Sequence, residues 1–349
     1  MSWNSIAKDN LGKRTAPMLL THSFVDETWY LCDITHDKIL DLQLDLPERR
    51  FCGFSKGWLI TMDENFILNL INPLSRIKGR IAKEKSIINL PAINISEYDL
   101  KKWASDSDYC TFRATISADP ISNAKDCIVT VTHENYCQLA FIRIDKDTTW
   151  TYIRFEGAPF VIGDVVYVED KFYYFQRMKG LYSFVVTSNQ FTLQDVKLVA
   201  KYTADNHCEK EYLVELSDRK ELWMVRRYTV WKRRRPGQEG ILKTKKFKVY
   251  KIKLDADECK WTEIHTLGGF ALFVGANSSI AVLASNFSRC LTNCIYFVND
   301  WTGSNGYNFD DVGVYNIEEK RLLSIPRQTL NMMKMSGQES IWIEATMKL

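Results

Sequence analysis

Apolar residues fall along this chain in short runs, dense in Val, Ile, Tyr, Phe and Trp, and each run stops at a cluster of Gly, Asn, Asp or Ser. Trp58 to Thr61, Cys127 to Val131, Val165 to Val168, Phe172 to Phe175, Leu181 to Thr187, Tyr212 to Leu216, Leu222 to Val225, Ala271 to Val274, Ile280 to Ala284 and Cys294 to Val298 all read this way. Branched and aromatic side chains suit a pleated surface, and the flanking residues suit turns, so these runs predict strands. Helical periodicity is thin. Ile95 to Trp103, with Ser96 as cap and Asp99 three residues on, predicts one short helix, and Ser2 to Asn10 predicts another. A β-rich chain with few helices leaves sandwiches, barrels and propellers.

One phrase recurs: a short strand, a polar turn and a second strand. It begins at Thr28, Phe66, Leu139, Leu181, Phe247 and Val312, with first turn residues Thr35, Asn72, Asp145, Thr187, Asp255 and Glu318. The anchors are 37, 73, 42, 68 and 63 residues apart. A β unit repeating every 40 to 50 residues or so is the mark of propeller blades. The gap of 73 is close to two units of 37, and Thr111 to Val131 is a candidate for a divergent copy within it, which leaves six or seven blades. The expected fold is therefore an all-β propeller with a short helical remnant at the N-terminus. A ring must close, and pairing of Ser340 to Ala345 with Met18 to Phe24 would complete one blade from both ends of the chain.

Composition agrees with a large folded core: 349 residues, 46% hydrophobic, 13% aromatic and 8 prolines exclude a disordered or linker-dominated chain. The N-terminus has no secretory pattern, and no apolar stretch is long enough to span a bilayer as a helix. Nine cysteines, an odd number scattered through a long chain, fit reduced thiols, and the sequons at Asn94, Asn277 and Asn286 are expected to be idle. The expected location is cytoplasmic, nuclear or both, with no membrane partner.

Signatures of covalent chemistry are missing: there is no GxGxxG after a strand, no P-loop, no HExxH, no nucleophile elbow and no CxxC. His22, His36, His133, His207 and His265 have no metal-ligand spacing and are expected to face solvent or make one hydrogen bond. Cys290 and Cys294 lack the partners of a tetrahedral site, and Cys294 reads as a buried strand residue. Asp63 with Glu64, and Asp310 with Asp311, read as turn residues rather than acid and base dyads. No catalytic, metal or cofactor residue is assigned.

Charge singles out one stretch. Arg226 to Lys251 holds 11 basic residues against Glu239 alone, leaving 35 basic against 42 acidic residues elsewhere. The near-neutral total thus conceals an acidic body with one basic arm, interrupted by PGQEG as in a long hairpin. Its candidate partner-binding residues are Arg226, Arg227, Trp231, Lys232, Arg233, Arg234, Arg235, Lys243, Lys245 and Lys246. Three readings stand: a solvated edge that blocks sheet aggregation, a docking surface for an acidic protein or an import receptor, and a nucleic-acid site. No stacking aromatics beyond this loop support the last.

The runs CGFSKGWLITMDENFILNLINPLSRI from Cys52, FKVYKIKLDADECKWTEIHTLGGFALFVGANSSIAVLAS from Phe247, NCIYFVND from Asn293 and VGVYNIEEKRLLSIP from Val312 resemble plant F-box proteins with a KIB-type β-propeller. The resemblance implies a propeller over residues 18–347 that holds an unidentified target protein for an SCF-type ubiquitin ligase and carries out no covalent chemistry. It also implies an F-box of helices that docks the Skp adaptor. Residues 1–12 resemble only the end of its last helix, with Trp3 packed on the propeller, so Skp is an expected partner only where an upstream F-box exists. Without one, the chain would bind a target and leave it intact.

Overall fold

The computed structural model describes residues 15–23, 28–44, 46, 50–76, 86–94, 112–133, 138–154, 162–176, 179–186, 196–202, 208, 210–232, 241–256, 258–275, 278–298, 311–325, 331 and 340–344. Both predicted helices, Ile95 to Trp103 and Ser2 to Asn10, lie outside them.

The strands group into six sheets arranged as the blades of a propeller. The first blade contains β1 (Met18–Ser23), β2 (Thr28–Asp33) and β3 (Lys38–Leu44). The second is β4 (Arg50–Ser55), β5 (Trp58–Met62), β6 (Ile67–Ile71) and β7 (Ile87–Ala92). The third is β8 (Phe112–Ile116), β9 (Ile128–His133), β10 (Gln138–Arg143) and β11 (Thr151–Arg154). The fourth is β12 (Ile162–Val168), β13 (Lys171–Gln176), β14 (Gly180–Phe184) and β15 (Lys197–Lys201). The fifth is β16 (Lys210–Leu216), β17 (Glu221–Lys232), β18 (Ile241–Lys253) and β19 (Thr262–Ile264). The sixth has five strands, β20 (Phe270–Gly275), β21 (Ser278–Leu283), β22 (Cys294–Phe297), β23 (Gly313–Asn316) and β24 (Arg321–Leu323), with β20 and β22 parallel.

The fourth strand of the first blade comes from the other end of the chain: β25 (Ile341–Ile343) pairs antiparallel with β1, with Leu19 opposite Trp342. This is the closure expected from the sequence. The innermost strands β25, β4, β8, β12, β16 and β21 are consecutive neighbours around a complete ring. The five described phrase anchors, Thr35, Asn72, Asp145, Asp255 and Glu318, occupy one structural place, the link between the two outermost strands of a blade, and Thr187 lies outside the described residues. Asp33 Oδ1 accepts the Thr35 N–H at 3.0 Å in one such turn, and Asn316 Oδ1 accepts those of Glu318 and Glu319 at 3.0 and 2.9 Å in another. In these two turns a short polar side chain caps the link. The blade count is therefore six, and Thr111 to Val131 is no separate copy, since β8 and β9 begin the blade whose anchor is Asp145.

Apolar side chains pack between blades, in six clusters that each join two neighbours. On β5, Leu59 faces the first blade while Trp58, Ile60 and Met62 face the third. On β17, Leu222 and Met224 face the fourth blade, and Trp223 and Val225 the sixth. A strand covered on both sides has no solvent face, so β5 is buried at every position, Thr61 included, and is otherwise apolar. The outer strands β15, β19 and β24 are largely exposed.

Polar groups tie the blades edge to edge. The Trp58 indole N–H donates to Asp119 Oδ2 at 3.1 Å and that of Trp150 to the Pro91 carbonyl at 2.7 Å. Trp342 donates to the Val274 carbonyl at 3.1 Å, so the closing strand is held to the sixth blade.

Candidate functional site

The basic segment forms a ladder in which β17 and β18 pair from Glu221–Lys253 out to Lys232–Ile241. Its neighbour β16 stops at the pair Lys210–Arg227, so beyond Arg227 five ladder pairs continue as a two-stranded arm among the described residues. At about 3.3 Å per residue the arm extends roughly 16 Å from the blade.

The first two predicted site residues are not on its surface. Arg226 is fully buried, its Nε 2.9 Å from Glu211 Oε1 and its guanidinium lying over the rings of Tyr202 and Tyr250 at 4.8 and 4.9 Å. Burial alone would lower its pKa, but Glu211 holds it above the ordinary arginine value. Arg227 points to the opposite side of the strand. It donates to Asp311 Oδ2 at 2.7 Å, the Val298 carbonyl at 3.0 Å and Thr244 Oγ1 at 2.8 Å, and it lies 5.0 Å from the centre of the Phe297 ring. Asp311, expected in a solvated turn beside Asp310, is instead buried and also accepts the Thr244 N–H at 2.9 Å. Such charges tolerate burial only when paired and hydrogen-bonded, as here. These arginines fix the root of the arm to the fourth and sixth blades and are unavailable to a partner. Asp310 lies outside the described residues.

Past the root the chemistry changes. Trp231 is 66% exposed and Val230 40%, while Lys232, Lys245 and Lys246 are exposed and Lys243 is half-buried. The Lys246 ammonium lies 4.8 Å from the centre of the Tyr228 ring. Arg233, Arg234 and Arg235 lie outside the described residues.

A second feature had no signal in the sequence. Around the axis, residues from all six blades line a cavity of about 150 Å³. Its walls carry Lys56, Arg113, Asp164, Glu215 and Glu344, each from a different blade-to-axis position. Lys56 is delivered by the tight β4–β5 turn, where Lys56 and Gly57 both have positive φ, at 51° and 85°, and glycine meets that demand without strain. Its ammonium is 3.5 Å from Glu215. Arg113 pairs with Asp164, whose other oxygen accepts the Leu213 N–H at 3.0 Å. Burial pushes the Glu215 carboxyl up against the opposing pull of Lys56. Burial and then repulsion from Glu215 push Glu344 up as well. The arrangement suits a small polar or cationic group, and no set of His, Cys, Asp and Glu among the described residues could hold a metal ion.

The histidines divide. His22, expected to face solvent or make one hydrogen bond, is buried against Trp29, and His265 is exposed. His36 bonds Asp33 Oδ2 through Nδ1 and Ser288 Oγ through Nε2, both at 2.8 Å, which joins the first blade to the sixth across the closing seam. His133 has no described side chain and His207 lies outside the described residues. Asp63 does cap a turn, accepting from Asn65 and Ile67. Cys294 is buried in β22, where burial lifts its thiol to about 11, and the seven described cysteines are free.

Six closed blades, an axial polar cavity and a rooted basic arm define a β-propeller. A sequence profile of the KIB1-4 beta-propeller family matches residues 31–316, and the chain belongs to that family. It is similar to the probable F-box protein At1g65740 of Arabidopsis thaliana, 26% identical over 258 residues covering 70% of this chain and 66% of the relative. It is also similar to the putative F-box protein At3g25750 of the same plant, 25% identical over 250 residues with coverage of 70% and 66%. The matches thus span slightly less than two thirds of these relatives. Among solved structures, the propeller domain of Cps50 (Swd1) from Myceliophteria thermophila aligns over 90% of this chain and 86% of that one, at 9% identity and a TM-score of 0.42. Hsv2 of Kluyveromyces lactis aligns over 66% and 82%, at 11% identity and a TM-score of 0.36.

Proposed function

We propose that this propeller is the target-holding part of an SCF-type ubiquitin ligase adaptor, acting by binding and without covalent chemistry of its own. The observation that carries this reading is membership of the KIB1-4 propeller family together with relatives named as F-box proteins. In this scheme a Skp-binding F-box stands before the propeller, and residues 1–12 mark the junction. The propeller raises the local concentration of the target near a conjugating enzyme, which is proximity used in place of a catalytic group. The closed ring suits the task, because a rigid scaffold loses little conformational entropy on docking. The chain works in the cytoplasm, the nucleus or both.

The test begins with the genomic sequence immediately upstream of Met1. An in-frame F-box there, and co-elution of the extended chain with Skp, are expected. An extended chain that leaves Skp free would overturn the ligase connection.

A further inference from the structure

The axial cavity carries a charge that its own walls do not balance. Its charged lining is Lys56 and Arg113 against Asp164, Glu215 and Glu344. Arg113 pairs with Asp164 and Lys56 with Glu215, while no hydrogen bond or ion pair among the described residues engages the Glu344 side chain. Ser279 Oγ, on the wall supplied by β21, is buried and also finds no hydrogen-bond partner among the described residues. Strand direction explains how these groups meet. Lys56, Glu215 and Glu344 stand at or next to the C-terminal ends of the innermost strands β4, β16 and β25. The parallel pairing of β20 with β22 turns β21 round, so its first residues come to that same end, where the Trp342 N–H donates to Ser278 Oγ at 3.1 Å. Arg113 lies deeper. Thr115 Oγ1 donates to Ser55 Oγ at 3.1 Å, which sets those two level, and Arg113 is two residues earlier on β8, roughly 7 Å further along the axis. Exposure follows the same gradient, since the Lys56 and Glu215 side chains are 34% and 35% exposed and those of Arg113 and Asp164 only 11% and 13%. The cavity therefore has a mouth beside Glu344 and a floor at the Arg113–Asp164 pair.

We propose that this cavity binds one small organic cation, a primary ammonium or guanidinium group on a short alkyl stem, with Glu344 as its counter-ion. A charged N–H donor supplies what the walls lack: a positive charge for Glu344 and a proton for the Ser279 oxygen. The stem has apolar wall to lie on at Phe54, Val165 and Ile280. Size sets the class, because a cavity of about 150 Å³ holds a molecule of benzene's bulk. A metal ion fits poorly, since no set of His, Cys, Asp and Glu among the described residues converges on one point. An anion would meet Glu215 and Glu344 at the mouth, and a neutral molecule would leave Glu344 unpaired. Burial and repulsion from Glu215 already push the Glu344 carboxyl up, a penalty that a bound cation relieves. The cation arrives either free in solution or as a lysine or arginine side chain of a bound protein. The chemistry recognised is the same, and the site does not depend on the ligase reading.

The test is calorimetric titration of the full chain at neutral pH and fixed ionic strength of about 0.1 M, where exposed charges are partly screened. Butylammonium and butylguanidinium are compared with butanol, which keeps the stem without the charge, and with butyrate, which reverses it. At least one of the two cations is expected to bind at a single saturable site, about tenfold or more tighter than butanol or butyrate. Glu344→Gln should weaken that binding by about tenfold, whereas Glu258→Gln, a change at an exposed carboxyl on another surface, should leave it unaltered. Should Glu344→Gln fail to fold, the ligand comparison on the parent chain still decides. A second arm titrates a capped Gly-Gly-Lys-Gly-Gly peptide and its norleucine counterpart. Binding of the lysine peptide alone of the two identifies a protein side chain as the occupant, and binding of the free amines without either peptide identifies a free small molecule; each supports the site. Absence of saturable binding by both cations, equal binding of butanol, or an affinity that Glu344→Gln does not change overturns the proposal. None of these results touches capture of Skp by the F-box-extended chain, so the two readings fail separately.

Discussion

Arg226 and Arg227 are adjacent, identical in charge and committed to different blades. Nothing local distinguishes them from Arg233 to Arg235, because their partners Glu211, Tyr202, Tyr250 and Asp311 come from other parts of the chain. A basic run is legible in sequence, whereas the share of it consumed by folding is not. Asp311→Ala would leave Arg227 and the Thr244 N–H without their carboxylate and should destabilise the fold by about 3–5 kcal/mol in a denaturant titration. The cavity carboxyls give a pH signature. Glu215 and Glu344 hold protons more tightly folded than unfolded, so what protonation contributes is present on the acid side and is lost as pH rises from the ordinary glutamate value of 4.5 through the raised folded values. Asp147 works the other way. Hydrogen bonding to Arg143 holds it below its usual 3.8, and its contribution is lost as pH falls through that range. Glu344→Gln should therefore flatten the decline in melting temperature on the alkaline side of 4.5 and leave the acid limb in place. An unchanged alkaline limb would remove Glu344 from this account.

Elements were legible in proportion to their burial. Stretches such as β22 and Leu222 to Val225 of β17, apolar on both faces because both pack against a neighbouring blade, announced themselves as unbroken runs. The outer strands β15, β19 and β24 carry mostly exposed residues and left almost no pattern. The anchors succeeded because the described ones all fall between the two outermost strands of a blade, and the seventh blade was suggested because spacing alone cannot tell a long connection from a missing unit. The parallel pairing of β20 with β22 was invisible for a related reason, since it is specified by contacts between strands and not by either strand's sequence. The closing strand β25 is only three residues long, yet Trp342 is wholly buried between the first and sixth blades, 5.0 Å from Phe273. Trp342→Ala should cost about 3–5 kcal/mol, read as a lower denaturation midpoint. A midpoint unchanged from the parent chain would show that the ring is not held shut there.

At the scale of the whole molecule, six interblade clusters replace a single core, and stability is shared around a ring with no free end. That architecture leaves the axis and the arm as the places where polar and charged groups collect. The small net charge of +3 conceals this division, because the segment Arg226 to Lys251 offsets an acidic remainder. Part of that basic charge anchors the arm and part is displayed on it, which is the arrangement expected of a surface that must be both rigid and selective. The central claim is that the propeller serves as the binding half of a ligase adaptor. Calorimetric titration of purified Skp into a chain extended by an in-frame upstream F-box tests it most directly. A saturable one-to-one complex is predicted, with no heat of binding from residues 18–347 alone. An extended chain that gives no binding heat with Skp would contradict the account.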